Sequence, residues 1–260
     1  MGHKRYGYLP KTKPWERIVK ELGDFTIENN DVSTIARQTL QNVEKRFRRL
    51  GEDPSIHSSF EFLLQISHAF QQNDPIGYLK ANGILEQDEL SVLKLGRALK
   101  KYKKDEVVSQ EYQTFSRQAA IDAINQWYKA NADAGVSLFN EGIDNEQVFR
   151  NIGKAGGFSD LTREYFSSFT ERYLKYFLER EASTKISNIN EREQFNREIE
   201  KHVDDISKHA FETTKITQSF AAGWFNKFAK TAIPTERQIT KFLSYAFDKM
   251  RSELLLEESK

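Results

Sequence analysis

Four side chains in the C-terminal half have types and spacings that suit metal binding or acid–base chemistry. They are Glu198, His202, Asp205 and His209. Their spacing of four, three and four residues places them along one stripe of an α-helix. Because imidazole and carboxylate groups bind metals, the stripe predicts half of a metal site, with His202, Asp205 and His209 as ligands. No second segment stands out as the facing half, so a solvated polar helix face is the favoured interpretation.

Other kinds of catalytic group are missing from the sequence. The chain has no cysteine, which excludes a thiolate nucleophile, a disulfide scaffold and a zinc site built on cysteine. It has no Gly-x-Ser-x-Gly motif, and the glycine-rich stretch 153–157 does not match a phosphate-binding loop. The sequence therefore predicts no catalytic residue and no cofactor, and a metal-dependent enzyme on a helical bundle is kept as an alternative.

Basic residues form two clusters, each at the C-terminal end of a predicted helix. Residues 1–104 carry 18 Lys and Arg against 13 Asp and Glu, a balance of +5, whereas the rest of the chain carries 21 against 25, a balance of −4. The helix dipole favours cations at such ends whatever the function, but together with a basic N-terminal arm they also predict a phosphate-binding surface. The predicted nucleic-acid contacts are Lys11, Lys13, Arg46, Arg48, Arg49, Lys100, Lys101, Lys103 and Lys104.

Aromatic residues are dense in the C-terminal half. One predicted helix carries six aromatic side chains between Tyr165 and Phe177, and the last two predicted helices carry more. Most of them must form the core, but protein interfaces also concentrate large aromatic residues. The N-terminal arm has no periodicity of its own and is aromatic, which is typical of a segment that docks into its own bundle or into another chain. The predicted partner-binding residues are Tyr6, Tyr8, Leu9, Trp15, Phe169, Tyr173 and Tyr176.

Helix-sized gaps between prolines and glycines indicate the fold class. The chain has 5 prolines and 13 glycines, and the apolar residues between them recur with helical rather than alternating spacing. We predict an all-α protein, a multi-helix bundle with either one domain or two helical subdomains. Its predicted parts are an extended basic and aromatic arm (1–13), an N-terminal helical part (14–132), a glycine-rich, loop-rich joint (133–157) and a C-terminal bundle of long helices (158–260).

Composition also bears on location and partners. No window approaches the roughly 20 apolar residues of a membrane span, and no apolar run of signal-peptide length follows the first basic residues. We therefore expect a cytoplasmic protein without a membrane span. The net charge of +1 disfavours a uniformly basic surface for nucleic acid.

Two segments resemble stretches of a known group of proteins. They are residues 5–11, RYGYLPK, and residues 166–180, FSSFTERYLKYFLER. Both are similar to segments of uncharacterised helical proteins from bacterial phage-defence gene clusters. The resemblance includes no catalytic motif. It implies an accessory subunit that acts beside an enzyme or ATPase encoded by a neighbouring gene.

The leading hypothesis is a non-catalytic helical adaptor or structural subunit of a bacterial multiprotein assembly. Its partners would be other protein subunits, bound through the arm and the aromatic C-terminal helices, which requires those aromatic side chains to be exposed. The first alternative is a helical nucleic-acid-binding protein that uses the arm and the basic helix ends, and it requires the basic clusters to converge on one surface. The second alternative is the metal-dependent enzyme.

Overall fold

Helices form most of the chain that the structure, a computed structural model, describes: residues 10, 12–24, 32–102, 110–135, 145–211 and 220–256. No β-strand occurs in these ranges, and the predicted all-α multi-helix class is confirmed. The α-helices are α1 (Lys13–Gly23), α2 (Val32–Phe47), α3 (Pro54–Ala69), α4 (Pro75–Ala81), α5 (Val92–Lys101), α6 (Gln110–Gly135), α7 (Asn145–Phe149), α8 (Ala155–Lys185), α9 (Ile189–Phe211), α10 (Phe220–Trp224) and α11 (Glu236–Leu256). In the same described ranges, two 3₁₀ helices span Leu50–Glu52 and Arg150–Gly153, and a π-helix spans Phe225–Ala229. None of the described helices combines the length and the apolar character that crossing a membrane requires.

Short polar side chains determine where several helices begin. The carboxylate of Asp53 accepts a hydrogen bond from the backbone N–H of Ser55 at 2.9 Å, and Pro54 occupies the first turn of α3. Burial raises the pKa of Asp53, and the backbone hydrogen bonds oppose that rise. Thr12, Asp74 and Ser91 cap α1, α4 and α5 in the same way.

The longest helix, α8, lies inside the bundle. It packs against α1, α2, α6, α9, α10 and α11, so neighbouring helices cover it on several sides. A helix covered in this way carries apolar residues around much of its circumference rather than along one stripe. Its buried aromatic residues are Phe158, Tyr165, Phe166, Phe169, Tyr173 and Phe177.

Polar contacts also join α8 to α6. The carboxylate of Asp122 in α6 accepts hydrogen bonds from Ser168, at 2.9 Å, and from Arg172. The hydroxyls of Ser116 and Tyr165 share a buried hydrogen bond of 2.8 Å. Burial raises the pKa of the Tyr165 hydroxyl well above its ordinary value.

The N-terminal and C-terminal parts contribute to the same core. The ring of Phe47 in α2 lies 5.3 Å from that of Tyr173 and 5.5 Å from that of Phe247, and Phe60 in α3 stacks on Phe242 at 5.2 Å. Almost all the buried apolar residues described in 14–132 and in 158–256 belong to one hydrophobic cluster. The predicted boundary near 133–157 stays a prediction, but the parts on either side of it are packed together.

The glycine-rich stretch is helical over 145–157, the section of it that the structure describes after α6. The short helix α7, a 3₁₀ helix and the first turn of α8 occupy it, where the sequence predicts a loop-rich joint. Close packing explains two of its glycines. A Cβ atom on Gly153 would lie 2.6 Å from the backbone oxygen of Phe70, and one on Gly157 would lie 2.1 Å from that of Asn151. These glycines allow backbone segments to approach one another.

Candidate binding surfaces

Part of the predicted binding surface falls outside the described residues. It comprises the N-terminal arm and two lysines that follow α5. The residues are Tyr6, Tyr8, Leu9, Lys11, Lys103 and Lys104. Their assignments to partner binding and nucleic-acid binding stay predictions.

Three of the predicted partner-binding aromatic residues belong to the core instead. Trp15 is only 3% exposed, and Phe169 and Tyr173 are fully buried. This burial does not fit a partner surface: Phe169 and Tyr173 lie on α8 inside the bundle, and Trp15 of α1 packs against Phe177 of the same helix. Tyr176 is half-buried, and its ring packs 5.3 Å from that of Phe115 in α6.

The predicted metal ligands lie on α9 as expected, but they do not form a metal site. Asp205 and His209 are exposed and His202 is half-buried, and the carboxylate of Asp205 lies 3.7 Å from the ammonium of Lys208. Within the described ranges, no three His, Asp or Glu side chains come close enough together to hold a metal ion. The structure therefore gives the metal-dependent alternative no site among these residues.

The described residues of the two basic clusters are exposed, but they lie on helices with different packing partners. Helix α2, which ends near Arg46, packs against α1, α8, α9 and α11, whereas α5, which ends near Lys101, packs against α6. Two of the charges have carboxylate partners: Arg48 pairs with Glu44 at 2.7 Å and Lys101 pairs with Glu86 at 2.9 Å. The other predicted nucleic-acid contacts in the described ranges are also exposed, and they are Lys13, Arg46, Arg49 and Lys100. Convergence of the clusters on one surface stays a prediction.

A different set of aromatic side chains stays at the surface, where α10, the π-helix and α11 meet. Phe220, Trp224 and Phe228 are half-buried, and Tyr245 is 49% exposed. The segment 220–256 carries six cations, of which Arg251 pairs with Glu44 of α2. The other five are Lys227, Lys230, Arg237, Lys241 and Lys249. We call these aromatic and cationic residues the aromatic–basic face.

The rings of the aromatic–basic face contact one another and the neighbouring lysines. The rings of Phe220 and Tyr245 meet edge to face at 5.0 Å, and Trp224 lies 5.9 Å from Phe228. The ammonium of Lys227 lies over the ring of Phe228 at 5.0 Å, and that of Lys249 lies over the ring of Tyr245 at 5.8 Å. These are cation–π contacts, in which a lysine covers one face of each ring.

Helix α3 holds the end of the π-helix in place. The backbone oxygen of Ala229 accepts a hydrogen bond from the side chain of Gln71 at 3.2 Å and lies 3.4 Å from Nδ1 of His68. His68 is buried, and its Nε2 lies 3.1 Å from the amide nitrogen of Gln72. A ring that donates from Nδ1 and accepts at Nε2 satisfies both contacts. Short π-helical segments recur at functional sites, and this one presents Phe228 and Lys227 at the surface.

The sequence contains a signal for the aromatic–basic face that the site predictions did not use. Lysines alternate with aromatic residues at helical spacing, as in Lys241, Tyr245 and Lys249. The signal is ambiguous by itself, because Phe242 and Phe247 in the same helix are buried. Only the packing of α11 separates the exposed rings from the buried ones.

Comparisons of the chain with protein-family models, with curated proteins and with solved structures found no match. The resemblance to helical accessory proteins of phage-defence clusters therefore stays a prediction.

Proposed function

We propose that the chain is a non-catalytic adaptor that binds an acidic segment of a partner protein on the aromatic–basic face. One observation carries the proposal: Phe220, Trp224 and Phe228 are only half-buried and Tyr245 is exposed. In contrast, most of the other aromatic side chains on α8 and α11 are buried. Covering apolar rings that folding leaves in contact with water is favourable. Tyr, Trp and Phe are also the residues that protein interfaces concentrate.

The positive charge of the aromatic–basic face indicates the kind of partner. The segment 220–256 carries six Lys and Arg against three Asp and Glu, a balance of +3, in a chain whose net charge is only +1. A surface with excess positive charge attracts acidic partners, and salt weakens that attraction because it screens exposed charges. The proposed partner segment therefore combines carboxylates with apolar side chains that pack against the rings.

The geometry of the rings favours a protein over a nucleic acid. Stacking of a base requires an open ring face. Lys227 and Lys249 each lie over one face of the rings of Phe228 and Tyr245, so a base that stacks on that face would have to displace the lysine. An acidic protein segment leaves these contacts in place, since its carboxylates can pair with the same lysines.

The biological setting is part of the proposal. The adaptor would work in the bacterial cytoplasm beside other protein subunits, and the resemblance of residues 5–11 and 166–180 implies a phage-defence assembly. The N-terminal arm is a second proposed contact, and its residues 1–9 and 11 lie outside the described residues.

Site-specific photo-crosslinking in the native host tests the proposal. A benzoylphenylalanine in place of Tyr245 is compared with the same residue in place of Ile189, which is 63% exposed at the start of α9. We expect the probe at position 245, but not the one at 189, to crosslink to a defined protein through an acidic peptide. Lys241→Glu combined with Lys249→Glu should abolish that crosslink.

Two outcomes contradict the adaptor proposal. Equal crosslinking from both positions would mean that the aromatic–basic face has no special role. A nuclease-sensitive crosslink to nucleic acid at position 245 would instead favour the nucleic-acid alternative.

A further inference from the structure

A cleft beside α5 has the features of a second binding site, separate from the aromatic–basic face. It has a volume of ≈ 560 Å³ and lies between α5 and the loop 83–87 that follows α4. Its apolar lining consists of Ile84, Leu85, Ala98 and Tyr102. Its charged lining consists of Lys94, Arg97, Lys101 and Glu86. The volume falls in the range of small-molecule sites, about 300–1,000 Å³.

Helix α5 places three cations on one side of the cleft. Lys94, Arg97 and Lys101 follow one another at intervals of three and four residues, so they share one helix face, and Ala98 lies between them. Ser91 determines where this helix begins, because its hydroxyl accepts a hydrogen bond from the backbone N–H of Lys94 at 3.3 Å. Three like charges on one short face repel one another unless anions balance them.

Two carboxylates in the loop before α5 neutralise part of this positive charge. Glu86 pairs with Lys101 at 2.9 Å and Glu89 pairs with Lys94 at 2.6 Å. Both carboxylates are highly exposed, 83% and 72% respectively, and exposed pairs of this kind are weak and easily exchanged. Arg97 has no ion-pair partner among the described residues, so the positive charge on this face is not fully balanced.

We propose that the cleft binds a small phosphate monoester with an apolar or aromatic body. The phosphate contacts Arg97 and Lys101 and displaces the carboxylate of Glu86, which occupies the position of the ligand's anionic group. The body of the ligand packs on Ile84, Leu85 and Ala98. A guanidinium fork beside an ammonium suits a phosphate, since the fork can donate two parallel hydrogen bonds and the ammonium adds a second charge.

Titration calorimetry at low salt with 1-naphthyl phosphate tests the proposal. We expect one binding site per chain. Arg97→Gln should weaken binding at least tenfold because it removes the cation without a competing carboxylate, and Ala98→Trp should abolish binding because it fills the cleft. Glu86→Gln should strengthen binding several-fold, since it removes the group that competes for Lys101. Lys201→Gln, on the surface of α9, serves as the matched control and should leave the affinity unchanged.

Two further titrations separate the contributions of charge and apolar contact. Inorganic phosphate and uncharged 1-naphthol should each bind at least tenfold more weakly than 1-naphthyl phosphate. If inorganic phosphate binds with the same affinity as 1-naphthyl phosphate, the apolar lining contributes nothing and only the cations bind. If 1-naphthol binds with the same affinity, the cations contribute nothing and only the apolar lining binds. Either result overturns the proposal, as does unchanged or weaker binding by Glu86→Gln. Circular dichroism confirms that each variant is folded.

Discussion

Aromatic residues have opposite roles in this chain, according to the position of each side chain on its helix. Phe169 in α8 is fully buried and packs 5.2 Å from the ring of Phe247. Tyr245 lies two residues before Phe247 in α11 and is 49% exposed. Removing the ring of Phe169 leaves a cavity in the core, whereas removing the ring of Tyr245 leaves none, because that ring lies at the surface.

Phe169→Ala and Tyr245→Ala should therefore differ widely in stability. We expect the first to lower the free energy of unfolding by about 3–5 kcal/mol, the usual cost of removing a buried Phe. The second should cost less than about 1 kcal/mol, in line with surface positions. Urea denaturation followed by circular dichroism measures both values. If Phe169→Ala lowers the free energy of unfolding by less than about 1 kcal/mol, Phe169 is not a core residue, and its predicted role in partner binding is favoured again.

At the scale of elements, the junction between the 3₁₀ helix Arg150–Gly153 and α8 depends on close backbone contact. Gly156 and Gly157 both lie in the first turn of α8. A Cβ atom on Gly157 would lie 2.1 Å from the backbone oxygen of Asn151, whereas one on Gly156 would have no atom within 4 Å. The two neighbouring glycines therefore form a matched pair, in which one position is crowded and the other is open.

Alanine substitutions at the two positions should have opposite effects. Gly157→Ala must push the 3₁₀ helix away from α8, and we expect it to destabilise the protein by about 1–3 kcal/mol, as overpacking does. Gly156→Ala should be neutral or stabilising by up to about 1 kcal/mol, because alanine favours the helix more than glycine does. The midpoint of urea denaturation measures both changes. If both substitutions are tolerated, the stretch is the flexible joint that the sequence predicts.

At the scale of the whole molecule, the described helices of both predicted parts share one core. Trp15 in α1 packs 6.5 Å from Phe177 in α8, so even the first helix depends on the C-terminal part. The pair between Arg251 in α11 and Glu44 in α2, at 2.9 Å, links the two parts near the surface. Such contacts couple the unfolding of one part to that of the other.

Thermal unfolding should accordingly show one cooperative transition. We expect the calorimetric enthalpy to match the van 't Hoff enthalpy, and near-ultraviolet and far-ultraviolet circular dichroism to give the same midpoint. Phe47→Ala, which removes a ring that lies between α8 and α11, should lower the midpoint without splitting the transition. Two resolved transitions would instead support separate subdomains on either side of residues 133–157.

The candidate sites were only partly predictable from the sequence. The basic cluster at the end of α5 indicates Lys101, which lines the cleft, but the apolar lining of the cleft comes partly from a loop before the helix. The aromatic–basic face was part of an aromatic excess that the sequence could not divide into core and surface. His202, Asp205 and His209 share a helix, as their spacing indicates, but a metal site needs further ligands from a facing element.

The sequence by itself determined the local features of this protein. The fold class and several helix limits follow from contacts within a few residues, such as the cap that Asp53 forms ahead of Pro54. Tertiary structure decided which aromatic residues are exposed, because the burial of Phe169 or Tyr245 depends on helices far away in the chain. Periodicity identifies one apolar face of a helix, whereas α8 is covered on several sides by helices from both ends of the sequence.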